Sequence, residues 1–239
     1  PTGMSGLYRI EVGKYRTGEM QVVSGAMGKE KIHYQAPSPE RVPAEMERFI
    51  EWVNNSEDID AVLKAAIAHL WFVSIHPFDD GNGRITRALT DMLLARSENS
   101  SKRFYSVSAE TKTLQKGYYE VLERTQHGNG DITDWLLWFL HCFEQALSAS
   151  ESTLSSVMYK AEFWERNRDV SFNERQRKLL NMLFDGFNGK LTSSKWAKIA
   201  KCSSDTALND ITDLIAKGIL QKTNEGGRST NYILVDYNP

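Results

Sequence analysis

The chain has 239 residues, 41% hydrophobic and 25% charged, a globular composition long enough for one large domain or two smaller ones. A net charge of −2 and a pI near 6.3 exclude a global field that would draw it to nucleic acid or a membrane surface. Cys142 and Cys202 lie far apart with no ligand spacing, which excludes a disulfide scaffold and fits a reducing, cytoplasmic setting. The richest apolar run, residues 65–75, is too short to span a bilayer and contains His69.

Residues 1–37 are rich in Gly, Tyr and Val. MQVV and KIHY flank the Gly-containing SGAMGKE, which predicts a β-hairpin at about 20–34, ended by Pro37 and Pro39. From Pro43 the pattern turns helical, with Met46, Phe49, Ile50 and Val53 on one stripe. Ser56 is placed to cap the next helix, EDIDAVLKAAIAHLWFVSI, whose later turns are apolar nearly all round, as in the central helix of a bundle. Pro77 should stop that helix near Ile75. A further helix starts after the glycines at 81 and 83, with Ile85, Ala88, Leu89, Met92 and Leu93 as its apolar stripe, and helices follow at 111–127 and 131–150.

A second unit begins near Ser171. Three helical patterns and a short hairpin with a Gly-Gly tip follow one another, the order of a winged helix-turn-helix. Residues 172–239 carry 10 Lys and Arg against 7 Asp and Glu, a mild excess of +3, while the remainder is at −5. The expected organisation is therefore 1–150, a linker helix at 151–171, and 172–239. The fold class is mainly α, a helical bundle with a small β-hairpin plus a winged-helix domain.

The most informative stretch is HPFDDGNGRITR at 76–87. Arg84 and Arg87, three apart, share a helix face and sit at the positive end of the helix dipole, where an anion would offset them. Gly81, Asn82 and Gly83 permit backbone N–H groups to converge ahead of that helix. These parts together describe a phosphate site. Asp80 beside it is costly unless a cation lies between, and one carboxylate plus phosphate oxygens is a common way to hold Mg²⁺. His76 at the mouth of the loop is placed to take a proton from a hydroxyl, and Phe78 to anchor the loop to the core. The reaction class is transfer of a phosphorus-containing group from a nucleoside triphosphate to a hydroxyl.

This stretch resembles the signature of the Fic (filamentation-induced-by-cAMP) domain family, His-x-Phe-x-Asp/Glu-Gly-Asn-Gly-Arg-x-x-Arg, at all its fixed positions, His76, Phe78, Asp80, Gly81, Asn82, Gly83, Arg84 and Arg87. Similarity extends over about residues 5–150, through GKYR at 13–16, the hairpin ending in YQAP, GYYEVL and GDITDWLLWFL. The resemblance implies a helical core that moves AMP from ATP to a Ser, Thr or Tyr hydroxyl of a target protein. It implies His76 as base, Asp80 as Mg²⁺ ligand, Asn82 and the glycine amides on the α- and β-phosphates, and the arginines at the β/γ end. Tyr119, Leu122 and Gln126 are candidates for an adenine pocket, although core packing predicts the same spacing. Met20, Gln21, Val22 and Val23 with Ile32, His33 and Tyr34 would form the flap that aligns the target by strand addition. The intact GNGR favours nucleotidyl over phosphoryl transfer.

Many members carry an inhibitory helix with Ser/Thr-x-x-x-Glu-Gly/Asn, whose Glu pairs with the second motif arginine. Glu98-Asn99 and Glu225-Gly226 are preceded by Leu94 and Gln221 and do not fit it. That helix is expected upstream of Pro1 or from a partner; if upstream, the present chain should be more active than a longer parent. In the second unit, Lys201, Ser203, Ser204, Thr206, Asn209 and Arg228 are the candidate DNA contacts. Asp205, Asp210 and Asp213 dilute that face, which favours a module for homodimerisation or target docking. The alternatives to AMP transfer are a nucleotide-sensing DNA-binding regulator and AMP removal as the main activity.

Overall fold

A computed structural model describes residues 4–5, 8–10, 12–25, 29–56, 58–98, 103–223 and 230–235. The chain divides into two compact units, Pro1–Ala149 and Ser150–Pro239. Among the described residues no helix is long and apolar enough to cross a membrane.

The first unit opens with two short antiparallel pairs, β1 (Met4–Ser5) with β2 (Tyr8–Arg9) and β3 (Gln21–Ser24) with β4 (Lys31–Gln35). The register of the second pair shifts between Val22 and Val23, a bulge. α1 (Val42–Asn55) buries Val42, Met46, Phe49 and Val53 but leaves Ile50 at the surface, so its stripe is narrower than the sequence suggested. α2 (Ala61–Ile75) is the central helix, with Ala65, Ala66, Ala68, His69, Leu70, Phe72, Val73 and Ile75 all buried. Asp60, not Ser56, caps it, accepting from the N–H groups of Val62 at 2.9 Å and Leu63 at 3.1 Å. Ser56 instead closes α1 by donating to the Trp52 carbonyl. Both are good capping residues, and the loop between them decides which helix each serves.

α3 (Asn82–Ser97) corrects the sequence pattern more sharply. Its buried face is Asn82, Thr86, Thr90, Leu93 and Leu94, whereas Ile85 and Met92 are about 40% and 39% exposed and Ala88 is exposed too. The helix is polar inside near its start and apolar outside. The helix expected at 111–127 is two, α4 (Val107–Thr113) and α5 (Gln115–Gln126). α6 (Thr133–Arg166) outruns its expected end and buries Trp135, Phe139, Cys142 and Ala146, with the Trp135 indole N–H donating to the Ala66 carbonyl at 2.8 Å.

In the second unit α7 (Glu174–Phe184), α8 (Ser193–Ala200) and α9 (Ser204–Ala216) precede antiparallel β5 (Leu220–Lys222) and β6 (Tyr232–Leu234), and Leu191 bridges Tyr232. Asn173 and Gln176 form a capping box at the start of α7. The core includes Leu179, Leu180, Trp196, Ile211 and Leu214, and Tyr159, Phe163 and Trp164 from the segment expected as a linker pack against it.

Candidate functional site

Among the described residues of the first unit, the junction after α2 holds the one non-glycine residue at positive φ. His76 sits in the left-handed region at φ 51° and ψ 56°, a conformation that costs a non-glycine residue roughly 1–3 kcal/mol and persists only where its surroundings impose it. Arg16 imposes it. This buried guanidinium donates from Nε to the His76 carbonyl at 2.8 Å and from its other nitrogens to Gly18 at 2.9 Å, Pro37 at 2.5 Å and Ile75 at 3.4 Å. Its own N–H donates to the Pro77 carbonyl. A cation on the last carbonyls of α2 also meets the negative end of that helix.

The His76 ring is oriented by the same turn. Nδ1 lies 3.1 Å from the Val73 carbonyl, which can only accept, so Nδ1 carries the proton and Nε2 holds the lone pair. Burial lowers the His76 pKa, the Val73 bond partly opposes that, and the Arg16 charge adds to the lowering. The neutral imidazole is therefore favoured near pH 7.

Beyond Pro77, Phe78 packs against Tyr15 and Phe72, with ring centroids at 5.8 and 6.4 Å. Asn82 is 3% exposed, and its side chain accepts from the Phe78 N–H at 3.0 Å and donates to the Phe78 carbonyl at 2.7 Å. The Asn82 amide expected on a phosphate is thus spent on closing the loop, which leaves its main-chain N–H as the group to offer a ligand. Gly81 has φ 85° and begins α3, so the turn requires glycine there. A Cβ at Gly83 would meet only the Arg87 guanidinium, at 3.7 Å. The first N–H groups of α3 have no intrahelical acceptor by helix geometry and point out ahead of the helix.

Asp80 accepts from the Gly81 N–H at 2.6 Å and pairs with Arg84 at 3.3 Å, both side chains being exposed. Arg87 is half-buried and makes no ion pair among the described residues. It lines a cavity of about 760 Å³ together with His76 and Gly83. The other walls include Val22, Val23, Ser24, Lys31, His33 and Tyr34 from the hairpin, Val73 from α2, and Lys116, Tyr118, Tyr119, Glu120, Leu122, Glu123 and Gln126 from α5. All three adenine-pocket candidates therefore line the same cavity as His76, Gly83 and Arg87, whereas Asp80, Asn82 and Arg84 are not among its lining residues. Leu122 is buried, Tyr119 is half exposed, and Gln126 donates to the Ser74 hydroxyl at 2.9 Å.

The hairpin is tied down over this cavity. His33 places Nδ1 at 2.7 Å from Glu123 and Nε2 at 2.5 Å from the Ser24 hydroxyl, Lys31 pairs with Glu123 at 2.8 Å, and the Tyr34 hydroxyl donates to the Ser74 carbonyl at 2.9 Å. Hydrogen bonds from Lys31 and His33 hold the Glu123 carboxyl well down, at about 2. Met20 closes the base, its carbonyl accepting from the Ala36 N–H, and Gln21 bonds Gln35 across the strands. Ile32 is 52% exposed and does not line the cavity.

The α9 candidates are partly committed to local structure. The Ser203 hydroxyl caps the helix on the Thr206 N–H, while Ser204, Asn209 and Lys201 are exposed. Arg228 lies outside the described residues. Asp210 does not dilute the outer face as expected. It is 4% exposed and takes Arg175 bidentately at 2.7 and 3.0 Å, and Asp213 pairs with Lys217.

The pattern-based reading missed Arg16, Ser74, Glu123 and His69. Arg16 stood inside GKYR, and His69 and Ser74 inside the apolar run at 65–75, but none was given a role there; a salt bridge 90 residues apart, as at Glu123, leaves no local trace.

Residues 3–94 match the Fic/DOC family profile. The chain is 30% identical over 164 residues to "Protein adenylyltransferase Fic" of Nematostella vectensis, covering 68% of this chain and 34% of that protein. It is 36% identical over 90 residues to "Protein adenylyltransferase fic-1" of Caenorhabditis elegans, covering 37% of this chain and 16% of that protein. The chain thus spans about a third or less of these relatives' length. A crystal structure of a Fic family protein from Desulfovibrio desulfuricans shares the fold, with a TM-score of 0.54 at 22% identity over 98% of this chain and 66% of that one.

Proposed function

Because this chain carries a Fic/DOC family domain at residues 3–94, we propose that it is a protein adenylyltransferase, moving AMP from ATP to a Ser, Thr or Tyr hydroxyl of a target protein. The observation that carries this is the juxtaposition in one cavity of a neutral His76 with Nε2 bare, the open N-terminus of α3, and Arg87 without an ion pair among the described residues.

His76 Nε2 takes the proton of the incoming hydroxyl. The hydroxyl oxygen bonds to the α-phosphorus, the bond from that phosphorus to the α,β-bridging oxygen breaks, and pyrophosphate leaves. The N–H groups of Asn82 and Gly83 with Arg84 and Arg87 hold the phosphate oxygens. Tyr119, Leu122 and Gln126 receive the adenine. The hairpin presents strand edge to the target's main chain.

Mg²⁺ fits the donor set in one respect: Asp80 is an exposed carboxylate beside the phosphate cradle. No group of three or more His, Cys, Asp or Glu gathers among the described residues, so most of the ion's oxygens would come from phosphates and water. When bound it would neutralise phosphate charge, and Asp80 would exchange Arg84 for it. A glutamate from outside the described residues, on a helix of a longer chain or of a partner, would pair with Arg87 and hold the site inactive. The cytoplasm is the compartment that suits ATP and two free thiols.

For the second unit the order of three helices and two strands, with Leu191 bridging Tyr232, supports a winged helix-turn-helix used for docking or dimerisation. The inward turn of Asp210 keeps DNA contact by Lys201, Ser204 and Asn209 as the second reading, and a salt-dependent gel shift lost on Lys201→Glu would establish it.

The decisive test is label transfer from α-labelled ATP with Mg²⁺ to the chain itself or to lysate proteins. Transfer that disappears in His76→Ala is expected. Equal labelling by wild type and His76→Ala, or label arriving only from γ-labelled ATP, would reject it.

A further inference from the structure

One buried ionisable group takes no part in this chemistry. His69 is 2% exposed, in the middle of α2, two turns before His76. Its Nδ1 lies 2.9 Å from the Thr90 hydroxyl on α3, and its Nε2 lies 3.0 Å from the Tyr118 hydroxyl on α5. Thr90 already donates its proton to the Thr86 carbonyl, so it accepts from His69 Nδ1–H. Nε2 is then an acceptor and Tyr118 donates to it. The line continues, because the Thr86 hydroxyl donates to the Asn82 carbonyl at 2.7 Å and the Asn82 amide holds Phe78 at both its N–H and its carbonyl.

We infer that His69, with Thr90 and Tyr118, is a positioning residue that sets the phosphate-holding start of α3 against the α5 wall of the cavity; this rests on the nucleotide-site reading above. The polar inner face of α3 is the reason. Between Asn82 and Thr90 no large apolar side chain of α3 is fully buried; Leu93 and Leu94 engage the core only a turn later. Near the site Leu89 packs only partly buried against the core, so the axial position and rotation of α3 lean on directional bonds as well, and among the described residues the side-chain bond from this stretch to another helix is the one to His69. Tyr118 and Arg87 both line the cavity, so a shift of α3 against α5 changes the distance between the arginine and the nucleobase wall. An apolar core of the same volume would be about as stable. What it would lose is the single register. Burial, with the Arg87 charge adding to it, holds the His69 pKa at about 3, so the ring stays neutral and keeps these roles across physiological pH.

Three variants of the 239-residue chain separate the bonds. His69→Asn keeps an amide N–H near the Nδ1 position and the bond to Thr90. His69→Gln keeps an amide oxygen near the Nε2 position and the bond to Tyr118. His69→Leu fills the space and keeps neither. Each is titrated with a fluorescent ATP analogue, assayed for AMP transfer with KM and kcat separated, and melted. His69→Leu leaves the buried Tyr118 hydroxyl without its acceptor, so its melting temperature should fall somewhat, and at a temperature where it is still folded it is expected to bind nucleotide roughly tenfold more weakly. His69→Asn should recover most of that loss, since the α3 bond positions the arginines, and His69→Gln less. If His69→Leu does not fold, Tyr118→Phe, which removes one oxygen, should still weaken binding by about threefold. Unchanged binding in the foldable variants, or a loss that follows only melting temperature, overturns the inference. A wild type that binds nucleotide but transfers no AMP rejects the transferase reading and leaves the binding comparison to decide this one. A wild type that binds no nucleotide rejects both.

Discussion

At the His76 end of the cavity the contacts that shape the backbone are buried, whereas at the hairpin end the holding contacts are exposed or half-exposed. Arg16 and Asn82 are each 3% exposed and bond main-chain groups. Lys31 and Glu123 are 65% and 32% exposed and bond each other's side chains. Buried polar groups have no water to fall back on, so their bonds fix one geometry. Exposed pairs exchange with water at little cost. On the proposed reading, the buried end would hold the reacting atoms in one geometry and the exposed end would open to a target strand.

The largest way to break this difference is Arg16→Lys. Lysine keeps the charge but not the planar fork, so the Ile75 and His76 carbonyls at the end of α2 and those of Gly18 and Pro37 cannot all keep a donor, and His76 loses the contact that holds it left-handed. A destabilisation of about 3 kcal/mol in denaturant titration is expected, the scale of two orphaned buried acceptors. AMP transfer should fall at least a hundredfold at a temperature where the variant is folded, since a 1 Å displacement of a catalytic group costs about that much. A stable, active Arg16→Lys chain would show that the turn imposes its own shape.

Asn82→Ala comes next. It opens the loop between Phe78 and α3 but leaves His76 on Arg16, so it should raise the KM for ATP by about tenfold and cost about 1–2 kcal/mol of stability. A fall in kcat with KM unchanged would place Asn82 on the reacting phosphate instead of in the loop.

The pH dependence follows from the two histidines. His69 is held at about 3 when folded against about 6.5 unfolded, so the folded state binds fewer protons. Its contribution to stability is complete above pH 6.5 and is lost as pH falls towards 3, with a slope approaching about 1.4 kcal/mol per pH unit. His76 is also lowered and adds in the same direction. His69→Leu should flatten the fall in stability between pH 6.5 and 4 in urea titrations. If neutral His76 acts as the base, as proposed, AMP transfer should rise with pH along an acid limb below pH 6.5.

The sequence made the loop readable because each of its parts answers a neighbour within 12 residues: Pro77 ends α2 at Ile75, Gly81 starts α3, and the arginines follow within two turns. The hairpin was readable for the same local reason. The inner face of α3 was not. Ile85, Ala88 and Met92 have helical apolar spacing, yet Asn82, Thr86 and Thr90 go inside because the loop and His69 supply their partners. Burial of these polar residues is decided by hydrogen-bond partners, near for Asn82 and Thr86 and 21 residues away for Thr90, and hydrophobic period carries no record of them. Asp210 failed the sequence reading in the same way, its partner Arg175 lying 35 residues earlier.

The smallest effect belongs to the exposed end. Glu123→Gln removes the charge that Lys31 and His33 share but leaves an amide that can still bond one of them, and the Tyr34 bond to Ser74 remains. The melting temperature should not change measurably. The KM for ATP should move by less than about twofold, because the loop end is untouched and exposed pairs contribute little. The KM for a target protein should move by a few-fold, and its dependence on salt should weaken, because screening already loosens the wild-type pair over a Debye length of about 10 Å at 0.1 M. If Glu123→Gln instead changed the KM for ATP as strongly as Asn82→Ala, the two ends would be one coupled unit, and the hairpin would belong to the nucleotide site and not to target entry.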